Sequence, residues 1–94
     1  MLHQIPIDLK KVKKENMDQA ILRAAIIAEL DAINLYEEMA AMTEDESLKE
    51  VLLDVAGEEK THVGEFQTML LMRDEEQVRE MDAGKEEIEE MLEE

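Results

Sequence analysis

The chain has no cysteine and no tryptophan, a single phenylalanine, tyrosine and proline, and three glycines among its 94 residues. Without thiols it can hold no disulfide, zinc-thiolate centre, iron–sulfur cluster or thiol nucleophile, so any metal must sit among oxygen and imidazole donors. With so few aromatic rings, the core has to be aliphatic, built from Leu, Ile, Val, Ala and Met. The eight methionines are dispersed, as befits fillers of an irregular helical core rather than a soft-metal cluster. No apolar run reaches the roughly 18 residues of a membrane helix, and the amino terminus lacks the basic-then-apolar signal pattern. The expectation is a soluble protein of the cytoplasm with no membrane partner. Basic residues are scarce as well: ten against 26 acids leave a net charge of −16. A phosphate backbone finds no basic footprint of adequate size, so nucleic acid is excluded as a partner.

What is present is helix-forming sequence, enough for one small domain. Residues 1–15 contain the only proline, Pro6, carry no sustained period, and read as an extended arm with at most a short turn. A helix is predicted from near Asn16, whose side chain can cap the amide of Gln19, to Met42, with no Gly or Pro inside it. Thr43, Glu44, Asp45 and Glu46 read as a turn and capping box. A second helix then runs to about Arg73, with the apolar seam Leu48, Leu52, Val55, Phe66 and Met69 at steps of three and four. Gly57 and Gly64 lie inside it, each at a cost of about 1 kcal/mol relative to Ala, which suggests close backbone packing there. Residues 74–82 read as a short acidic helix ended by Gly84, and residues 85–94 as a second acidic stretch. The organisation is thus an arm over 1–15, a helical hairpin over 16–73 and an acidic helical segment over 74–94, the last with eleven acids against Arg79 and Lys85.

The seam of the second helix, continued through its middle, lands on Glu59 and His62. The short link makes the two long helices antiparallel neighbours. With the turn centred near residue 44, Glu29 and Glu59 are each 15 residues from it, about 22 Å along their helices, and lie level. His62 is one turn beyond Glu59, with its Cβ about 5–6 Å away on the same face. A carboxylate-bridged di-iron four-helix bundle takes one Glu from each of two helices and a Glu-x-x-His pair from each of the other two. Glu29 and the run Glu59-Lys60-Thr61-His62 are half of that set, in a chain with enough helix for half a bundle.

The hairpin cannot cover its own apolar surface, since the first helix is apolar around more than half its circumference. A second copy related by a twofold axis completes both bundle and site. Four carboxylates converging near that axis repel one another unless protonated or neutralised by metal, and two divalent cations compensate them. Glu58 is a rival to Glu59, because its i,i+4 spacing to His62 also fits one face, and Glu65 is a weaker one. Tyr36, seven residues after Glu29, either bonds a ligating carboxylate or is a core aromatic. His3, in the arm, reads as incidental.

These residues resemble a known family. Glu29-Leu-Asp-Ala-Ile-Asn-Leu-Tyr36 followed by Glu58-Glu59-Lys-Thr-His62 is similar to the encapsulated ferritins, a branch of the ferritin-like and rubrerythrin-like proteins, and the likeness spans roughly residues 16–73. It implies an all-α fold: an antiparallel two-helix hairpin plus a short carboxy-terminal helix, dimerising into a ferritin-like four-helix bundle. It implies Glu29, Glu59 and His62 as iron ligands, two Fe per dimer, with Tyr36 beside the centre. It further implies a ferroxidase that assembles as an open ring of five dimers and works inside an encapsulin nanocompartment, with the encapsulin shell protein as partner. Two departures stand out. Many members end in an apolar-and-basic docking peptide, whereas this chain ends Glu-Glu-Met-Leu-Glu-Glu. Their acidic metal-uptake site is matched only by Asp31, with Ala28 where an acid is expected. The rival readings are a rubrerythrin-like di-iron peroxide reductase and a non-catalytic helical adaptor whose polar trio specifies an interface.

Overall fold

The long uninterrupted run of helix formers that follows Asn16 becomes α1, Met17–Met42. The computed structural model describes residues 8–93, so His3 and Pro6 lie outside the described residues. Ahead of α1 come two single-turn 3-10 helices, Leu9–Lys11 and Lys14–Asn16. The second runs straight into α1 and leaves Asn16 at φ −107°, ψ 5°, away from the extended geometry of a capping residue. Its side chain makes no cap bond, contrary to expectation.

The link behaves as its composition predicts. Thr43 Oγ1 accepts from the amide of Asp45 at 3.1 Å, and Asp45 Oδ1 accepts from the amide of Leu48 at 3.1 Å, which starts α2, Glu46–Leu71. The α1 and α2 helices lie side by side as an antiparallel pair. Alanines dominate the contact: Ala20, Ala32 and Ala40 on α1 and Ala56 on α2 are buried, together with the larger Ile33 and Leu70.

Asp74 then caps α3, Glu75–Met91, by accepting from the Gln77 amide at 3.0 Å. Expectation and structure differ here: Gly84 does not end a helix but sits inside one. A cost of about 1 kcal/mol is too small to break a ladder flanked by Ala, Glu and Lys, and the i,i+4 pair Lys85–Glu89 at 3.9 Å spans the region just beyond it. Gly57 and Gly64 are a second correction. Nothing lies within 4 Å of where a Cβ would stand on either, so no backbone of this chain packs against them.

The core of a single chain is thin, with no large side chain fully buried among the described residues. Ile21, Ile27 and Leu30 on α1, and Leu48, Val51, Leu53 and Met69 on α2, stay exposed. The extents are 47 × 46 × 20 Å, whereas α2 and α3 end to end would reach about 65 Å along one axis. The chain is therefore a flat L, with the hairpin as one limb and α3 as the other, and α3 touches α2 at the corner but not α1.

Candidate metal centre

Antiparallel packing brings Glu29 of α1 against Glu59 and His62 of α2, midway along the hairpin. One ligand atom from each of the three lies within 4.8 Å of the others, a grouping that could hold a metal ion. His62 Nδ1 is 3.5 Å from Glu29 Oε2 and 3.5 Å from Glu59 Oε2. Both distances are long for a hydrogen bond, so the imidazole stands between the carboxylates without being bonded tightly to either. The two glutamates are largely buried, at 18% and 19% side-chain exposure, while His62 is 43% exposed.

Glu29 Oε2 is buried and has no hydrogen-bond partner among the described residues. Burying a carboxylate oxygen without a donor is costly, and buried polar atoms are almost always satisfied. A cation supplies what the oxygen lacks, and carboxylate with imidazole suits Fe, Mn or Zn. The donor set thus fits a hard or borderline divalent metal. The same glutamates line a cleft of about 300 Å³ with Ala28, Ala32, Leu35 and Tyr36.

Tyr36 thus lines the same cleft as the two glutamates. The rivals Glu58 and Glu65 are exposed and outside the cluster, because their helical positions turn them off the α1-facing side. Asp31 is half-buried and also outside it, and Ala28 lines the cleft. Lys60, next in sequence to Glu59, pairs with Glu37 at 3.1 Å on the outer surface.

A second polar cluster went unnoticed in the sequence. Arg23 Nη2 donates to Asp74 Oδ2 at 2.7 Å and contacts Gln19 Oε1 at 3.4 Å, while Gln19 Nε2 donates to the Arg73 carbonyl at 2.7 Å. Asp74, 9% exposed, is the one buried charged residue among those described. The Gln77 amide and, less strongly, the Arg23 guanidinium hold its carboxyl below the ordinary aspartate range, against the opposing effect of burial. The only sequence signal was Asp74 as a helix cap. The two contacts that tie the corner to α1, Arg23 to Asp74 and Gln19 to the Arg73 carbonyl, span 51 and 54 positions and follow no period.

Comparison with known proteins fixes the family. A rubrerythrin family model matches residues 20–93, most of the chain and all of the cluster. The chain belongs to the rubrerythrin family. A ferritin-like-encapsulin shell fusion protein of Pyrococcus furiosus is 58% identical to this rubrerythrin-family chain over 84 residues, 89% of it. The chain spans 24% of that relative's length. The crystal structure of the encapsulated ferritin domain from Pyrococcus furiosus matches with a TM-score of 0.83 at 51% identity, covering 98% of this chain and 94% of that one. The all-α hairpin with its third helix is accordingly the ferritin-like architecture that the resemblance implied, and family, fold and cluster together support an iron-related function.

Proposed function

We propose that two copies of the hairpin pair about a twofold axis, pool Glu29, Glu59 and His62 from each, and oxidise Fe(II) to Fe(III) with O₂. The observation that carries this reading is the buried, donorless Glu29 Oε2 set against Glu59 and His62. Two carboxylates and one imidazole are half of a di-iron ligand set, and the apolar residues left bare on both long helices give a second copy a surface to cover.

Fe(II) is the substrate, two ions per dimer. Held together they let one O₂ take an electron from each, which a lone ion cannot supply. The residues of the chain do the rest. Glu29 and Glu59 would bind the ions through oxygens already brought together by the helix pair. His62 presents Nδ1 toward both carboxylates, and its partial exposure leaves a route from solvent. Tyr36 shares the cleft with Glu29 and Glu59, and its hydroxyl would serve to orient a ligating carboxylate. The apolar walls of the cleft limit water around the bound ions.

The fusion of the Pyrococcus furiosus relative to an encapsulin shell supports a setting inside an encapsulin compartment of the cytoplasm, where the oxidised iron is stored. Homodimers would assemble into a ring of five, and the shell protein would be the other partner. Stopped-flow absorbance of Fe(II) oxidation tests the core of this. Glu59→Ala and His62→Ala should each slow it by about a hundredfold while leaving helix content intact. Wild-type kinetics in both variants would reject the assignment. The rubrerythrin match keeps a peroxide reductase as the second reading, and faster oxidation by H₂O₂ than by O₂ would favour it.

A further inference from the structure

The two interhelical links have the same length and opposite outcomes. Thr43, Glu44 and Asp45 join α1 to α2 and return the chain as a hairpin, whereas Met72, Arg73 and Asp74 join α2 to α3 and leave an L. A link this short lets consecutive helices pack antiparallel, so the L needs a cause. Arg23 Nη2 donates to Asp74 Oδ2 at 2.7 Å, and Gln19 Nε2 donates to the Arg73 carbonyl at 2.7 Å. Since α3 itself makes no contact with α1, the limb is held away from the hairpin by these ties at its root.

The held limb carries a bare apolar stripe. Val78, Met81, Ile88 and Leu92 are exposed and share an arc of about 80°. The eight acids of α3 lie outside that arc, and Lys85 is its one charged residue inside it. The hairpin offers a matching face. An open groove of about 230 Å³ is lined by Ile21, Leu22 and Met69, and it lies on the same face as the metal cluster, because Leu22 and Glu29, like His62 and Met69, are two helical turns apart. With Arg73 as the centre of a tight link, Val78 and Met81 fall level with the groove when α3 folds back. Lys85, 12 residues from that centre, falls level with Thr61, between Glu59 and His62. Its ammonium is 76% exposed and 3.9 Å from Glu89 in the L. Folded back, it would meet Glu29 and Glu59, where Glu29 Oε2 has no donor.

We propose that α3 is a strap that closes over the metal cluster of its own chain when the Arg23–Asp74 and Gln19–Arg73 ties release. The apolar stripe covers the Ile21–Met69 groove, and Lys85 answers Glu29 and Glu59. Because strap and face belong to one chain joined by a short link, each meets the other at high effective concentration. In the closed form a lysine stands where the cation would bind, and α3 covers the face that a second copy would need. That inhibitory consequence rests on the proposed function, whereas the closure does not.

The chain has no thiol, so Ser47→Cys/Glu90→Cys places nitroxide labels at two exposed sites. Full-length labelled chains, metal-free and diluted with excess unlabelled chain so that only distances within one copy count, are read by double electron–electron resonance. The separation is about 45 Å in the L and about 20 Å with α3 folded back. The labelled parent should show the long distance. Gln19→Ala/Arg23→Ala, and independently Asp74→Asn, which keeps an acceptor for the Gln77 amide, should each raise the short-distance population about tenfold or more. Lys85→Glu in either background should reverse that rise by about tenfold. The long distance alone in both tie variants, or a short distance indifferent to Lys85→Glu, would overturn the proposal. No metal enters the measurement, so wild-type Fe(II) oxidation in Glu59→Ala and His62→Ala would reject the proposed function and leave the strap standing.

Discussion

Two polar clusters lie six residues apart on α1, at Arg23 and at Glu29, and they are built in opposite ways. At the corner every charged group is answered: Asp74 accepts from the Gln77 amide at 3.0 Å and from Arg23 at 2.7 Å. At mid-hairpin two carboxylates face each other across an imidazole at 3.5 Å, and Glu29 Oε2 accepts nothing. Similar burial therefore serves different ends. A satisfied network holds a shape, whereas a network short of donors is the kind that a bound cation would complete, as the proposed function requires.

The sharpest way to break this contrast is to supply that cation. Zn(II), which binds without redox chemistry, should raise the melting temperature by about 10 °C at roughly a hundredfold excess over Kd. Glu29→Gln should abolish the rise and leave the metal-free melting temperature within about 2 °C of wild type, since the replacement removes a buried charge that had no donor. Differential scanning calorimetry with and without Zn(II) reads both. An equal rise in Glu29→Gln would mean the metal binds elsewhere.

The corner should respond in the reverse sense. Asp74→Ala removes a helix cap and strands Arg23, so the melting temperature should fall by about 5 °C whether or not metal is present. Circular dichroism should show loss concentrated in α3, whose start depends on the Gln77 bond. A drop that Zn(II) erased would show that the two clusters are coupled rather than separate.

How much of this was legible before the structure follows from the range of the interactions. Helix length, the Asp45 cap and the antiparallel pairing are local consequences of propensity and a short link. From them the level placement of Glu29 and Glu59 is arithmetic. Glu59 rather than Glu58 facing α1 required the rotation of α2, which the apolar seam at Leu52, Val55 and Phe66 supplied. The misreadings are of another kind. Asn16 looked like a cap because its residue type is right, but the preceding 3-10 turn occupies the geometry that a cap needs. Gly84 looked like a stop because glycine favours helix ends, but one glycine among strong formers costs too little. The L shape was not readable at all, because it rests on Arg23–Asp74 and Gln19–Arg73, single contacts between distant positions.

Acid offers a gentler probe of the corner. Because the Gln77 amide and Arg23 hold the Asp74 carboxyl below its ordinary value of 3.8, the folded chain binds that proton less readily than the unfolded one. The resulting stability is present above the ordinary value and lost as pH falls through the lowered one. Urea midpoints of wild type and Asp74→Ala should therefore run parallel above about pH 5 and converge toward about pH 2. A gap that stayed constant into acid would show that the carboxylate charge contributes nothing to the clasp.

The smallest effect is expected next to the metal cluster, where sequence proximity misleads. Lys60 adjoins Glu59, yet its ammonium reaches Glu37 at 3.1 Å with side chains 60% and 45% exposed. An exposed pair of long side chains gains little in water and is screened by salt. Lys60→Ala should change unfolding free energy by less than about 0.5 kcal/mol and Fe(II) oxidation by less than about twofold. A helix turns each residue roughly 100° from the last, so Glu59 can face α1 while its neighbour stays at the surface. Marked slowing of oxidation in Lys60→Ala, with stability unchanged, would instead place that ammonium on the path by which iron or oxidant reaches the carboxylates, and the mid-hairpin cluster would extend further toward solvent than its three ligands.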